Sequence, residues 1–138
     1  MSEQTFVIIK PDAVAAGHVG AIVSRYEDAG LRLAAMEFRR IEPEFADLHY
    51  SEHVEREYYP PLRAFMTEGP LIAMVLEGDD AVARVRALHG ATDPAKADPG
   101  TVRADFAESV RRNAVHASDS PVSAAQEIAL WFGDEFQG

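Results

Sequence analysis

The sequence of 138 residues contains no cysteine. This absence excludes disulfide bonds and metal sites built on thiolates, and it fits a reducing compartment. Long apolar runs are also missing, because no stretch approaches the ~18 residues of a membrane-spanning helix. The amino-terminal region does not combine a basic start, an apolar segment and a small-residue cleavage site, as a secretory signal would. These absences predict a cytoplasmic protein that does not span a membrane.

Positive charge is scarce, since 13 lysines and arginines stand against 23 aspartates and glutamates, for a net charge of −10. A surface of this charge repels nucleic acids and anionic membranes as a whole, so neither is an expected partner. The simplest interpretation is a solvated acidic surface that keeps the protein soluble. An anionic small molecule can still bind where a local group of cations overcomes the general field.

Hydrophobic residues are present in the proportion of an ordinary globular protein, at 47%. The length suits one domain with a real core, residues 1–138. Short apolar segments predict four β-strands, at residues 5–10, 31–41 (with a bulge near Ala35), 71–77 and 110–115. Helices are predicted at residues 19–29, in short pieces between Pro43 and Met66, from Asp79 or Asp80 to about Leu88, and from Pro121 onward.

The order of these elements is β-α-β-β-α-β with added helices. It predicts an α+β fold (an α/β sandwich) of the ferredoxin-like, split-βαβ type, with a four-stranded antiparallel sheet and helices on one face. The segment from Gly90 to Thr101 is expected to be a loop. Ser120 is expected to cap the last helix, whose predicted inner face is Ala125, Ile128, Ala129 and Phe132.

An ionisable residue, His116, follows the predicted fourth strand and precedes the last helix. Loops and the ends of elements are common places for functional sites. A histidine can be a nucleophile if one ring nitrogen is free and a partner holds the other, and Ser118 and Glu127 could be such partners. The alternative is a histidine that is merely hydrogen-bonded in a helix-capping turn. The residues around His116 leave both readings open.

Cations elsewhere in the chain favour the functional reading. Lys10 lies at the end of the first predicted strand, Arg86 in a helix, and Thr92 and Arg103 in or beside the loop that follows. Together they would form a phosphate-binding set, because guanidinium groups match phosphate oxygens. The sequence has no G-x-x-x-x-G-K-[ST] motif, so this is not a Walker loop.

Five motifs occur in order: K-P-D-A-V at residues 10–14, H-Y-x-E-H at 49–53, G-A-T-D-P at 90–94, P-G-T-V-R at 99–103 and N-A-V-H-A-S-D-S at 113–120. With these motifs the sequence resembles the nucleoside diphosphate kinase family along nearly its whole length. The resemblance implies ping-pong transfer of a γ-phosphate from a nucleoside triphosphate to a nucleoside diphosphate. The nucleophile would be His116, oriented by Ser118 and Glu127.

The resemblance also implies the nucleotide site. Phosphates would be held by Lys10, Tyr50, Arg56, Arg86, Thr92 and Arg103, the ribose by Asn113 with Lys10, and the base by Tyr58 and Val110, with Leu62 also at the nucleotide site. Mg²⁺ would arrive bridging the phosphates, without an all-protein metal cage. Stacking cannot read the hydrogen-bonding edges of a base, so broad nucleotide tolerance follows. Family members form homo-oligomers, and a hexamer is expected here ahead of a tetramer or dimer.

Three departures from the family pattern are visible. Ala117 replaces the glycine that usually follows the histidine, which would strain the turn if that position needs a positive φ. Residues 56–59 read R-E-Y-Y where the family has R-P-F-F. The loop reads T-D-P in place of T-N-P. None of these changes removes a catalytic group.

Other histidines and aromatic residues are assigned structural places. His18, His49, His53 and His89 are expected to be surface or structural residues, and Phe65, Phe106, Trp131 and Phe132 are expected in the core or an interface. Two rival functions remain. A regulatory module with degraded catalysis would lack the nucleophile or a phosphate arginine. A histidine phosphotransfer protein would present its histidine on a helix bundle, against which the four strands argue.

Overall fold

The structure is a computed structural model and describes residues 2–133. Both ends of the expected domain, residues 1 and 138, lie outside the described residues. The strands are β1 (Ser2–Ile9), β2 (Arg32–Arg39), β3 (Leu71–Asp79) and β4 (Val115–Ala117). The helices are α1 (Pro11–Ala15), α2 (Val19–Asp28), α3 (Pro43–His49), α4 (Tyr59–Thr67), α5 (Ala81–His89), α6 (Val102–Phe106) and α7 (Pro121–Phe132), with a 3₁₀ helix at Pro94–Lys96. Within this span no helix is both long and apolar enough to cross a membrane.

The four strands form one antiparallel sheet in the order β2-β3-β1-β4. The fold prediction is therefore confirmed. The central strands β1 and β3 are buried over most of their length, which explains why they appear in the sequence as continuous apolar runs. The predicted bulge in β2 is present, because the register with β3 shifts between Leu33 and Ala35.

Helices cover both faces of the sheet, so the prediction of helices on one face is wrong. On one face Val7 and Ile9 of β1 share a core with Ile22 and Tyr26 of α2 and Val85 of α5. The opposite face has its own core, which contains Phe6, Ile8, Ala46, Phe65, Met66, Ile128 and Trp131 from β1, α3, α4 and α7. A strand whose successive side chains are all apolar needs cover on both sides, since neighbouring side chains point to opposite faces.

The fourth strand lies further along the chain than predicted. Residues 110–113 are not a strand, because the backbone N–H groups of Glu108 and Ser109 both donate to the carbonyl of Arg112 and close a tight turn. Val110 in this turn is 56% exposed. The strand β4 is only three residues long, and it pairs with β1 so that His116 lies opposite Ile8. His116 is therefore in the strand and not after it.

Two helix predictions also need correction. Asp80 precedes α5 but makes no side-chain capping bond, and the backbone N–H of Val82 donates instead to the Glu3 carboxylate at 2.9 Å. The inner face of α7 consists of Ala124, Ile128 and Trp131; Ala125 is exposed, while Ala129 and Phe132 are partly buried. The cap by Ser120 is confirmed, because Ser120 and Ser123 form a reciprocal capping box. Residues 90–101 are not wholly a loop, since they contain the 3₁₀ helix.

Candidate active site

A polar cleft of about 970 Å³ lies beside His116. Its walls come from the end of β1, the end of α3, α5 with the loop that follows, β4 and α7. Eight of the residues expected at the site line it: Lys10, Tyr50, Arg86, Thr92, Arg103, Asn113, His116 and Glu127. The topology thus brings together side chains that are more than 100 positions apart in the sequence.

Two hydrogen bonds fix the imidazole of His116. Its Nε2 atom lies 3.2 and 3.1 Å from the two carboxylate oxygens of Glu127. Ser118, which is buried next to β1, donates its hydroxyl to the same carboxylate at 2.5 Å. Because a carboxylate only accepts, Nε2 carries the proton, and the lone pair of the neutral ring lies on Nδ1. Within residues 2–133, Nδ1 has no hydrogen-bond partner.

Glu127 remains ionised in this setting. Burial alone would raise the pKa of its carboxyl group, but the hydrogen bonds from His116 and Ser118 outweigh burial and lower that pKa below its ordinary value. The carboxylate can therefore stabilise positive charge on the imidazole whenever the ring gains a substituent at Nδ1.

The backbone before His116 is strained at Ala114 and not at Ala117. Ala114 has φ = 73°, and the N–H of Val115 donates to the carbonyl of Asn113 at 2.8 Å, which defines a γ-turn. Ala117 is not among the positive-φ residues, so the condition under which alanine would strain the turn is not met. An ordinary strand residue sits there, opposite Val7, and any L-residue can adopt its backbone.

Both backbone polar groups of Ala114 are held by the segment that follows β1. Its N–H donates to the Asp12 carboxylate at 3.1 Å, and its carbonyl accepts from the Lys10 N–H at 2.8 Å. A non-glycine residue in such a conformation costs roughly 1–3 kcal/mol, and it persists only where its surroundings hold it. The K-P-D motif therefore shapes the turn that presents His116.

Lys10 is only 7% exposed, and its Nζ donates to the Asn113 side-chain oxygen at 2.9 Å. Burial and the nearby Arg103 charge lower the pKa of Lys10 to about 8, against the opposing effect of Asp12. The Arg103 guanidinium donates to the carbonyls of Gly90 and Val115, at 3.0 and 2.8 Å, and also to that of Asn113. Burial and Arg86 lower the pKa of Arg103.

None of the three cleft cations, Lys10, Arg86 and Arg103, forms an ion pair with a carboxylate of residues 2–133. Other arginines in that span are paired, for example Arg25 with Asp105 at 2.6 Å. The positive charge of the cleft is therefore available to an anion.

Four residues expected at the nucleotide site do not line this cleft. Arg56 borders a separate shallow pocket, and Leu62 packs against the core that α3, α4 and α7 cover. Tyr58 and Val110 are 48% and 56% exposed. The Tyr58 hydroxyl is 2.5 Å from Nδ1 of His53, a contact that the phenylalanine of the family pattern cannot make.

Sequence reasoning missed His49, for which it expected a surface or structural place. The ring of His49 lines the cleft, 5.0 Å from that of His116. Its position beside Tyr50 in the H-Y-x-E-H motif was the available signal. His89 also borders the cleft, but it is buried and its Nε2 lies 2.6 Å from the Tyr26 hydroxyl, which agrees with the expected structural role.

Comparison with known proteins decides the family. Residues 3–136 match the family model described as nucleoside diphosphate kinase. The chain belongs to the nucleoside diphosphate kinase family. A nucleoside diphosphate kinase of Nocardioides sp. is 61% identical over 132 residues, which are 96% of this chain and 98% of that protein. One of Rhodococcus erythropolis is 56% identical over 133 residues, 96% of each chain.

Solved structures of nucleoside diphosphate kinases agree with this assignment. The Aquifex aeolicus enzyme has a TM-score of 0.92 and 42% identity, with 96% of each chain covered. The Halobacterium salinarum enzyme, solved in complex with CDP, has a TM-score of 0.94 and 43% identity, with 99% of this chain and 91% of that chain covered. The predicted family, fold and enzyme class are confirmed: the chain has nucleoside diphosphate kinase activity, a phosphotransferase activity.

Proposed function

We propose that His116 carries the phosphate between the two nucleotides. Its Nδ1 attacks the γ-phosphorus of a bound nucleoside triphosphate, so that an N–P bond forms, the bond to the β-phosphate oxygen breaks, and a nucleoside diphosphate leaves. A β-phosphate oxygen of a second nucleoside diphosphate then attacks the phosphohistidine and reverses these steps. The proposal depends on one observation: Nε2 of His116 is hydrogen-bonded to Glu127, which leaves Nδ1 as the free ring nitrogen.

Glu127 and Ser118 position the nucleophile. The carboxylate holds the imidazole in one tautomer and stabilises the positive charge that grows on the ring as the N–P bond forms. Ser118 in turn holds the carboxylate from below, since its own oxygen accepts from the Phe6 backbone N–H at 3.3 Å. Removing either partner slows the transfer but leaves a reacting atom.

Phosphates are bound by the unpaired cations of the cleft. Arg86 and Arg103 offer guanidinium forks and Lys10 offers a point charge, while Thr92 and Tyr50 add hydroxyl donors. Asn113 binds the ribose together with Lys10, to which it is already bonded. Arg56, which borders a separate shallow pocket, completes the phosphate set.

The base stacks between Tyr58 and Val110, with Leu62 also at the nucleotide site. Both stacking residues are half exposed and thus accessible. A ring and an aliphatic side chain recognise the π-face of any base and read no edge, so the enzyme accepts purine and pyrimidine nucleotides.

Mg²⁺ enters with the nucleotide. Within the described residues, the one group with metal-binding spacing is His49, His116 and Glu127. Two of its three donors are nitrogens, whereas Mg²⁺ prefers oxygen and keeps most of its waters. Phosphate oxygens would therefore supply its ligands, and the ion would neutralise charge during transfer.

Assembly from identical chains is part of the proposal. The strand β2 lies at an edge of the sheet and exposes Met36 and Phe38, by 47% and 65%. An unpaired edge with apolar side chains favours pairing with a second copy. We propose a cytoplasmic homo-oligomer, a hexamer, in which residues 1–138 form one domain. Light scattering of the wild type and of Phe38→Glu tests this, and a monomeric wild type contradicts it.

Labelling tests the mechanism directly. Brief incubation with γ-labelled ATP and Mg²⁺ should leave one phosphate on His116, labile in acid and stable in base. His116→Ala should lose the label and lower transfer by at least about 10⁴-fold, because no other nucleophile replaces it. Nucleotide binding should persist in that variant. A regulatory module with degraded catalysis would bind nucleotide without any label, and label on a serine would refute the mechanism.

A further inference from the structure

His49 sits at the end of α3 in a setting of aromatic rings. Ring centroids lie 4.6 Å away for Tyr50, 5.0 Å for His116, 5.5 Å for Trp131 and 6.2 Å for Phe6. The His49 and His116 rings are nearly perpendicular, at 80°. This packing restricts the imidazole of His49 to one orientation.

Trp131 determines which nitrogen of His49 carries the proton. The indole N–H can only donate, and it points to Nδ1 of His49 at 3.0 Å. Nδ1 must therefore hold the lone pair and Nε2 the proton. Burial, and after it the His116 charge, lowers the pKa of His49 to about 3, so the ring is neutral at physiological pH. His49 is consequently a neutral donor with a fixed tautomer.

The ring of His49 is close to that of the reacting histidine. A ring nitrogen of His49 lies within 4.8 Å of a nitrogen of His116 and of an oxygen of Glu127. Two histidines and a carboxylate are also the ligands of many zinc sites. A zinc ligand needs a free lone pair, however, and the lone pair of His49 accepts the Trp131 N–H. His49 therefore offers a hydrogen-bond donor to the cluster, whereas a metal ion would require a free lone pair.

A neutral hydrogen-bond donor at this position can assist phosphoryl transfer. Negative charge on the moving phosphoryl group is spread over three oxygens, and fixed donors around them lower the barrier. A second imidazole beside His116 would also compete for the phosphate if its lone pair were free. Trp131 removes that competition because it occupies the lone pair.

We propose that Trp131 makes His49 a fixed, non-nucleophilic hydrogen-bond donor to the phosphoryl group as it moves onto His116. The proposal rests on the proposed role of His116. In this proposal Trp131 and His49 take part in the reaction, whereas a core tryptophan and a structural histidine would not.

Three variants separate the donor from the ring. His49→Gln places an amide N–H near the position of Nε2, whereas His49→Phe keeps a ring of similar shape and has no donor. Trp131→Phe keeps the packing and frees the lone pair of His49. For each, we would measure the single-turnover rate of His116 phosphorylation by ATP, the dissociation constant for ADP, and thermal unfolding. Nitrogen-15 NMR of the wild type reports the tautomer of His49 independently of activity.

Loss of one fixed donor typically slows transfer about 10²-fold, so His49→Phe should fall by that factor with little change in ADP affinity. His49→Gln should stay within about tenfold of the wild type, because it retains a donor. The wild-type spectrum should show a single Nε2–H tautomer, and Trp131→Phe should show a mixture.

The proposal is overturned if His49→Phe transfers phosphate as fast as the wild type, or if wild-type His49 is the Nδ1–H tautomer. If His49→Phe does not fold, two other results would refute the proposal. One is an Nδ1–H tautomer of His49 in the wild-type spectrum, and the other is a tenfold or greater loss of rate in His49→Gln. Absence of phosphohistidine in the wild type would instead refute the role of His116, and the tautomer measurement would still stand.

Discussion

Raising the pH should inactivate the free enzyme through Lys10. This side chain is 7% exposed, and burial with Arg103 lowers its pKa from 10.5 to about 8. The ammonium group is therefore about 90% charged at pH 7, half charged at pH 8 and about 10% charged at pH 9. Since the charged form binds phosphate, kcat/KM should fall about tenfold for each pH unit above 8.

A coupled assay of ATP formation from ADP and another triphosphate measures this, with kcat and kcat/KM determined between about pH 6 and 10. The profile of kcat should be flatter than that of kcat/KM, because bound phosphate favours the ammonium form and raises the pKa of Lys10. The control is Lys10→Arg, which has lower activity but stays charged and should lose the alkaline decline.

Unfolding cannot produce the same decline through Lys10. Its folded pKa lies below its unfolded value, so between about pH 8 and 10.5 the unfolded chain binds more protons and stability rises with pH. A kcat/KM that stays level to pH 9.5, or an unchanged decline in Lys10→Arg, would refute the reasoning.

Three further outcomes are expected. Glu127→Gln and Ser118→Ala should slow phosphorylation by up to about 10²-fold at unchanged ADP affinity, since a hydrogen bond to a charged group contributes about 1.5–3 kcal/mol; equal rates would count against the positioning role. Ala114→Gly should be at least about 1 kcal/mol less destabilising in urea than Ala117→Gly, because only the first relieves a positive φ. Values of kcat/KM for adenine, guanine and pyrimidine nucleotides should lie within about 30-fold, or ~2 kcal/mol, of one another, and strict preference for one base would contradict stacking on Tyr58.

The sequence pattern located the elements whose burial is regular. The strands β1 and β3 and the capped helix α7 have clear periodicity, and they were found with small errors at their ends. The strand β4 was misplaced because three residues carry no period, and only pairing with β1 defines them. The inner face of α7 was wrong at Ala125, since apolar residues on several sides of a helix allow more than one choice.

For the site, the resemblance to the nucleoside diphosphate kinase family predicted which residues belong to it, while the distances between them are known only from the fold. No sequence signal marks Ala114 as the strained residue, because alanine has no preference for positive φ. The tautomer of His49 depends on Trp131, which is 82 positions away. Neither feature is local, so neither can be read from a motif.

The buried ammonium group of Lys10 lowers the free energy of unfolding, and a bound phosphate would offset this loss. Lowering the pKa of Lys10 from 10.5 to about 8 corresponds to about 3 kcal/mol of unfavourable free energy for the charged form in the folded chain. Lys10→Met removes that charge at similar volume, while leaving the Asn113 oxygen without a partner at about 1–3 kcal/mol. In urea at pH 7 the free energy of unfolding of the variant should therefore equal or exceed that of the wild type, although its kcat/KM should be much lower. Destabilisation by more than about 1 kcal/mol would show that the ammonium group supports the fold. The expected result would mean that this lysine, which has no carboxylate partner among residues 2–133, is kept in the cleft for phosphate and not for stability.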